Sequence, residues 1–161
     1  LRRAGPGRRR HEAADVRGAV FVSIVGIGTD LVEIARLESA LARFGDRLAR
    51  RLLHPDERSA LAGRPLTGRL LAKRFAAKEA AVKALGTGFR GGITLTQIAV
   101  THGELGQPIL DFHGPAARRF AALGATRADL SLSDERSHAL AFVVLSCQGG
   151  RVPAPGPSGG P

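Results

Sequence analysis

The stretch RFAAKEAAVKALGTG, Arg74 to Gly88, constrains this chain most. It reads as the second half of a helix running from about Gly68 to Leu85, stopped by Gly86. Ala77, Ala80, Ala81 and Ala84 would let another backbone or a ligand come very close. Set among them, Glu79 is a lone carboxylate that needs a partner. One reading is a surface ion pair with Lys83, one turn on and in the favourable Glu-before-Lys order. The other is a metal ion. Glu79 and Lys83 share a helix face, and Lys78 is offset from Glu79 by about 100°. A carboxylate with lysines nearby can hold Mg²⁺ while the ammonium groups meet phosphate oxygens. A solvated helix face is the plainer alternative.

With 161 residues, the chain suits one domain with a real core. Phenylalanine supplies all of its 4% aromatic content, which leaves few platforms for stacking bases. A single cysteine, Cys147, excludes an internal disulfide framework and disfavours a thiolate zinc site. A reduced, cytoplasmic setting fits. The formal net charge is +10, but half of the excess lies at the ends, in residues 1–17 and at Arg151. The remainder is moderately basic and favours an acidic partner without naming one.

Residues 1–19 read as a disordered or mis-assigned extension, 20–148 as the folded domain, and 149–161 as a Pro/Gly-rich tail. A basic lead before AVFVSIVGIG suggests a signal peptide, but no A-x-A-like cleavage site follows. That run is also too short to span a bilayer. The chain contains no methionine, and a start near Val20 or Val22 from a non-standard codon is the expectation.

Val20 to Ile27 reads as a buried strand. A helix is expected from about Leu31 to Phe44, with Leu31, Ile34, Leu37, Leu41 and Phe44 on one stripe. Gly45 is a stop, Asp46 starts a second piece through Leu53, and His54-Pro55 breaks it. Ile93–Thr101 and Pro108–Phe112 read as strands, PAARRFAALG as a short helix, and Leu130–Ser133 with Ala139–Ser146 as a hairpin. The order is not strict βαβ alternation, so an α+β domain with an antiparallel sheet packed with a long helix is expected.

Three further groups of residues could carry chemistry. In GIGTDLVEI, Gly26 and Gly28 would let a phosphate approach the backbone, and Asp30 is a hard oxygen ligand suited to Mg²⁺. Asp30 with Glu33 is equally a capping-box-like arrangement. Arg36, Arg43, Arg47 and Arg50 fall at spacings of seven, four and three. They form a solvated face, or a dock for an acidic protein or nucleic-acid phosphates. Asp134, Glu135 and Arg136 make a turn, followed by His138. His11, His54, His102 and His113 have no metal-ligand spacing.

Together, GIGTDLVEIARLESALARFGDRLARRLL, RFAAKEAAVKALGTG and LSLSDERSHALAFVVL resemble the holo-acyl-carrier-protein synthases, the small stand-alone 4′-phosphopantetheinyl transferases. The resemblance runs from about Ile24 to Ser146 and includes the GQP turn at Gly106 to Pro108. It implies the 4′-phosphopantetheinyl transferase fold, a homotrimer, and transfer of phosphopantetheine from coenzyme A to a serine of apo acyl carrier protein in fatty acid synthesis. Adenosine 3′,5′-bisphosphate is the implied by-product.

For individual residues it implies that Asp30 and Glu79 hold Mg²⁺ and act in catalysis, and that Lys83 lies near the coenzyme's phosphates. Gly86, Gly88 and Arg74 fall in the coenzyme-binding motif. Glu33 would support the metal-binding carboxylates. Arg36, Arg43 and Arg47 would meet the carrier. The proton acceptor would be Glu79 or a metal-bound water. Some members have a histidine where Asp134 falls. The same chemistry on a polyketide or peptide carrier is the alternative, and a non-enzymatic basic nucleic-acid-binding protein a more distant one. Neither nucleic acid nor membrane is expected as a partner.

Overall fold

The computed structural model describes residues 21–149. The expected N-terminal extension and the remainder of the tail lie outside the described residues.

The chain begins with strand β1, Val22–Glu33, and continues into α1, Ile34–Phe44, and α2, Asp46–Leu52. Then come α3, Pro55–Ala60, and the long helix α4, Gly68–Leu85. A hairpin of β2, Ile98–His102, and β3, Pro108–Phe112, leads to α5, Gly114–Ala122. β4, Arg127–Asp134, and β5, His138–Gln148, complete the fold. β1, β5 and β4 form an antiparallel sheet in that order, while β2 and β3 pair separately. The α+β arrangement expected from the sequence is the one present.

α4 sits at the centre. Thr67 opens it by accepting a hydrogen bond from the Leu70 N–H at 3.1 Å. Gly86 closes it in the left-handed region at φ 73°, where glycine carries no Cβ penalty. Ala72, Ala76, Ala77, Ala80, Ala81 and Ala84 are all buried. The helix is enclosed by the sheet on one side and by α1, α2 and β2 on others, so small side chains recur around it instead of forming one stripe.

The closest approach is between α4 and β1. A Cβ on Gly28 would stand 1.9 Å from the Ala80 carbonyl oxygen, and one on Gly26 would stand 2.2 Å from that of Ala84. The glycines and alanines are therefore two halves of one backbone-to-backbone contact. Val32 from β1 and Ala139, Ala141, Val143 and Leu145 from β5 fill the same layer.

The structure corrects several readings: the first strand is not buried throughout, since Val22, Ile24 and Ile27 are exposed on it. β1 runs on to Glu33, and α1 starts at Ile34. Leu31, expected on the helical stripe, is an exposed strand residue opposite Leu140. Asp30 is also in the strand, opposite Ala141, and Glu33 caps α1 without a side-chain hydrogen bond. The capping-box reading of Asp30 and Glu33 is thereby overturned. Gly45 separates α1 from α2, so the arginine positions are split between two helices. β2 is shorter than expected because Leu95–Gln97 forms a 3₁₀ turn before it.

Candidate active site

The glycine-to-alanine contact sets β1 beside the last two turns of α4, and this brings the sequence-distant polar residues together. The Lys83 ammonium donates to Asp30 Oδ1 at 2.7 Å and to the Thr29 carbonyl at 2.9 Å. The Asp30 side chain is mostly buried, whereas that of Lys83 is half exposed. The Glu79–Lys83 surface pair, the plainer alternative, does not form, since Lys83 is directed to the strand. Among the described residues, Glu79 makes no ion pair. Burial raises its pKa above the ordinary carboxylate value, the Asp30 charge raises it further, and Lys83 partly offsets both.

A half-buried carboxylate whose charge is disfavoured by a second carboxylate beside it is a site that a small divalent cation would stabilise. Hard oxygen donors with an open side fit Mg²⁺. The residues present therefore fit the cation that the resemblance implies.

Beyond α4, Gly86 and Gly88 border a cleft of about 350 Å³ with Thr87, Arg90, Gly91, Ile93, Pro115 and Arg119. Arg119 is anchored there by a hydrogen bond from Nε to the Leu85 carbonyl at 2.9 Å. Arg90 and Arg119 make this cleft suited to anionic groups.

Arg74 and Lys78 are built into the interior. Lys78 has no exposed surface and donates to Glu57 Oε2, to the Leu52 carbonyl at 2.6 Å and to the Leu95 carbonyl at 3.1 Å. Arg74 Nε lies 3.5 Å from Glu57 Oε1, within ion-pair range but not aligned as a hydrogen bond. Burial lowers the pKa of both cations, and Glu57 opposes that shift. Arg74 also borders a second cleft, with Lys73, His102 and Asp134. Nothing in the sequence marks Glu57. Its burial depends on tertiary partners at positions 74 and 78, and no local pattern signals them.

Asp134 ends β4 and is held by Arg69 Nη1 at 2.6 Å and Lys73 Nζ at 3.2 Å, both from the first turns of α4. These hydrogen bonds hold its carboxyl below the usual range. Arg36, Arg43, Arg47 and Arg50 are all exposed. Arg43 lies over the Phe44 ring at 5.0 Å, and Arg50 is 3.7 Å from Asp46.

Two carboxylates, a lysine and an arginine-lined cleft on this α+β frame have the chemistry to take a divalent cation and a phosphate-bearing ligand. The family model described as ACPS, 4′-phosphopantetheinyl transferase superfamily, matches residues 26–143, and the chain belongs to that superfamily. Within it, the chain is 58% identical over 123 residues to a holo-[acyl-carrier-protein] synthase of Alkalilimnicola ehrlichii, covering 76% of this chain and 96% of the relative. It is 57% identical to that of Halorhodospira halophila over 122 residues, 76% and 97% of the two chains.

Among solved structures, the holo-[acyl-carrier-protein] synthase of Neisseria meningitidis aligns at TM-score 0.67 with 44% identity, covering 76% of this chain and 98% of that one. The Helicobacter pylori enzyme in complex with coenzyme A aligns at TM-score 0.63 with 27% identity, covering 74% and 98%.

Proposed function

We propose that this chain carries out the reaction its superfamily is named for, on an acyl carrier protein. The 4′-phosphopantetheine of coenzyme A passes to a carrier serine, and adenosine 3′,5′-bisphosphate leaves. The observation that carries this reading is the convergence of Asp30, Glu79 and Lys83 where β1 crosses α4.

The serine Oγ forms the new bond to the phosphorus bearing pantetheine. The pyrophosphate P–O bond breaks, and its electrons depart with the nucleotide. Asp30 and Glu79 would hold Mg²⁺, and the bound ion supplies charge neutralisation on the pyrophosphate. Lys83 contributes a point charge toward the phosphates. Glu79 is the protein group proposed to accept the serine proton. The arginine-lined cleft beside Gly86 and Gly88 suits the coenzyme's remaining phosphates. Arg36, Arg43 and Arg47 offer an exposed cationic surface for an acidic carrier.

A homotrimer belongs to the same proposal. The sheet face turned away from α4 exposes Ile27, Leu31, Leu140 and Phe142. An apolar patch of this kind supports assembly with further copies. Cytoplasmic location is proposed with it. Among the described residues, no helix is long and apolar enough to cross a membrane.

The test is the intact mass of an apo acyl carrier protein after incubation with the chain and coenzyme A, with Mg²⁺ or with EDTA. A gain of one phosphopantetheine with Mg²⁺ alone is expected. No gain on any acyl, polyketide or peptide carrier from a folded sample would overturn the proposal. Gain only on a polyketide or peptide carrier would reassign the acceptor.

A further inference from the structure

His54, Asp56 and His113, none of them assigned to the transfer site, come together in the fold. His54 lies between α2 and α3, Asp56 is in the first turn of α3, and His113 precedes α5. The two imidazoles stack, with centroids 4.1 Å apart and planes 15° apart. One ligand atom from each of the three residues can be chosen so that all lie within 4.8 Å of one another.

Two features distinguish this cluster from an incidental surface group. First, both histidine backbones are tied down. The His54 N–H donates to Glu57 Oε2 at 2.8 Å, and the His113 N–H donates to the Gln97 carbonyl at 2.8 Å. Second, His113 Nε2 is buried and has no hydrogen-bond partner among the described residues. A buried ring nitrogen without a partner is costly, and donation to a metal ion would relieve it.

We propose that His54, Asp56 and His113 form a second metal site, for a borderline divalent transition cation such as Zn²⁺, clipping the α2–α3 junction to the start of α5. Two imidazoles and a carboxylate suit Zn²⁺, Co²⁺ or Ni²⁺ and not Mg²⁺, which prefers oxygen ligands. The site is chemically distinct from Asp30 and Glu79. Three protein ligands leave a fourth position to solvent, as the exposed side of Asp56 requires.

Binding entails a local closure. Atoms spread over as much as 4.8 Å must draw in to about 3.4 Å, the spacing of two ligands on one tetrahedral Zn²⁺. The rings splay from their stack and the exposed Asp56 carboxylate swings in. The long cap hydrogen bond from the Asp56 N–H to His54 Nδ1, 3.2 Å, is the local contact most easily given up.

The test titrates Zn²⁺ into the full-length protein against a chromophoric chelator. One equivalent should bind, and excess Mg²⁺ should not displace it. His113→Ala should weaken that equivalent by about 100-fold or more, since even residues behind the ligands cost about 10–100-fold. Asp30→Asn combined with Glu79→Gln should leave it in place. X-ray absorption of the zinc-loaded wild type should count two imidazoles, a readout that holds even if a variant misfolds. Absence of the equivalent, its survival in folded His113→Ala, its loss in the Asp30/Glu79 variant, or a zinc shell without imidazole would each overturn the proposal.

Discussion

Lys83 on α4 reaches across to Asp30 on β1, with Nζ 2.7 Å from Oδ1, and so occupies one of the two carboxylates proposed for Mg²⁺. This ammonium both neutralises the site in the free protein and competes with a cation for Asp30. Lys83→Met is therefore expected to split two properties. Mg²⁺ binding to the protein alone should tighten or stay unchanged, because a competing positive charge is gone. Phosphopantetheine transfer should fall by about 100-fold or more, because a charge facing the phosphates is lost. Calorimetric Mg²⁺ titration and single-turnover transfer measure the two separately. Weaker Mg²⁺ binding would mean that Lys83 organises the carboxylates instead of competing for one.

Glu79→Gln should lower transfer by about 10²–10³-fold or more, as expected when a charge-stabilising group is removed. Its effect on stability has a definite sign. The folded-state pKa of Glu79 is raised by burial and by Asp30. Such a group favours the fold below the ordinary carboxylate pKa, and that contribution is lost as pH rises through the folded value. At neutral pH without Mg²⁺, the ionised form thus weighs against the fold. The glutamine variant should melt at the same temperature as wild type or higher at pH 7, and the gap should close in acid. A lower melting temperature at pH 7 in metal-free buffer would contradict this.

How far the sequence discloses these features depends on the range of the forces involved. The limits of α4 follow from local signals, since an alanine-rich run and Gly86 act within a turn or two. The sequence misplaces Leu31 because its spacing to Ile34 and Leu37 continues the helical stripe by coincidence. The residue instead belongs to a strand face that is apolar and exposed. The same misplacement obscured Asp30, whose capping-box reading needed a helix starting three residues too early. Lys78 looks solvated beside Glu79, yet only the partners brought in by Glu57, Leu52 and Leu95 allow its burial. His54 and His113 are far apart in the chain and meet through the packing of two loops, which no spacing rule detects.

Gly28→Ala tests the packing that creates the site. The added Cβ would meet the Ala80 carbonyl oxygen at 1.9 Å and the Ala84 nitrogen at 2.7 Å, both of them backbone atoms that cannot rotate away. The strand must lift from α4, at a cost of about 1–3 kcal/mol or more. Urea unfolding should show the loss, and transfer should fall because Asp30 moves off the helix. Wild-type stability would imply that β1 and α4 are less tightly apposed.

Glu57, Lys78 and Arg74 form a buried charged group whose members depend on one another. Glu57→Gln leaves Lys78 and Arg74 buried without a counter-charge, at about 3–5 kcal/mol, and Lys78→Met leaves Glu57 with Arg74 alone, 3.5 Å away and not aligned as a hydrogen bond. The double variant should be less destabilised than the sum of the two, since Glu57 and Lys78 leave together and only Arg74 remains unpaired. A double-mutant cycle from denaturant unfolding measures the coupling. Strictly additive losses would show that the Leu52 and Leu95 carbonyls alone hold Lys78.

Arg36 lies on the exposed side of α1, with no ion pair among the described residues. A free guanidinium on a solvated surface contributes little to the fold. Its use is in meeting an oppositely charged surface, where it speeds encounter and fixes register. Arg36→Ala should therefore leave the melting temperature within about 1–2 °C, as for surface substitutions of small free-energy effect. The Michaelis constant for the apo carrier should rise several-fold while that for coenzyme A is unchanged. The difference should shrink with added salt, since screening weakens exposed charge pairs within about one Debye length, roughly 8 Å at physiological ionic strength. Equal changes in both Michaelis constants would place Arg36 at the coenzyme, and no change in either would leave it a solvated face.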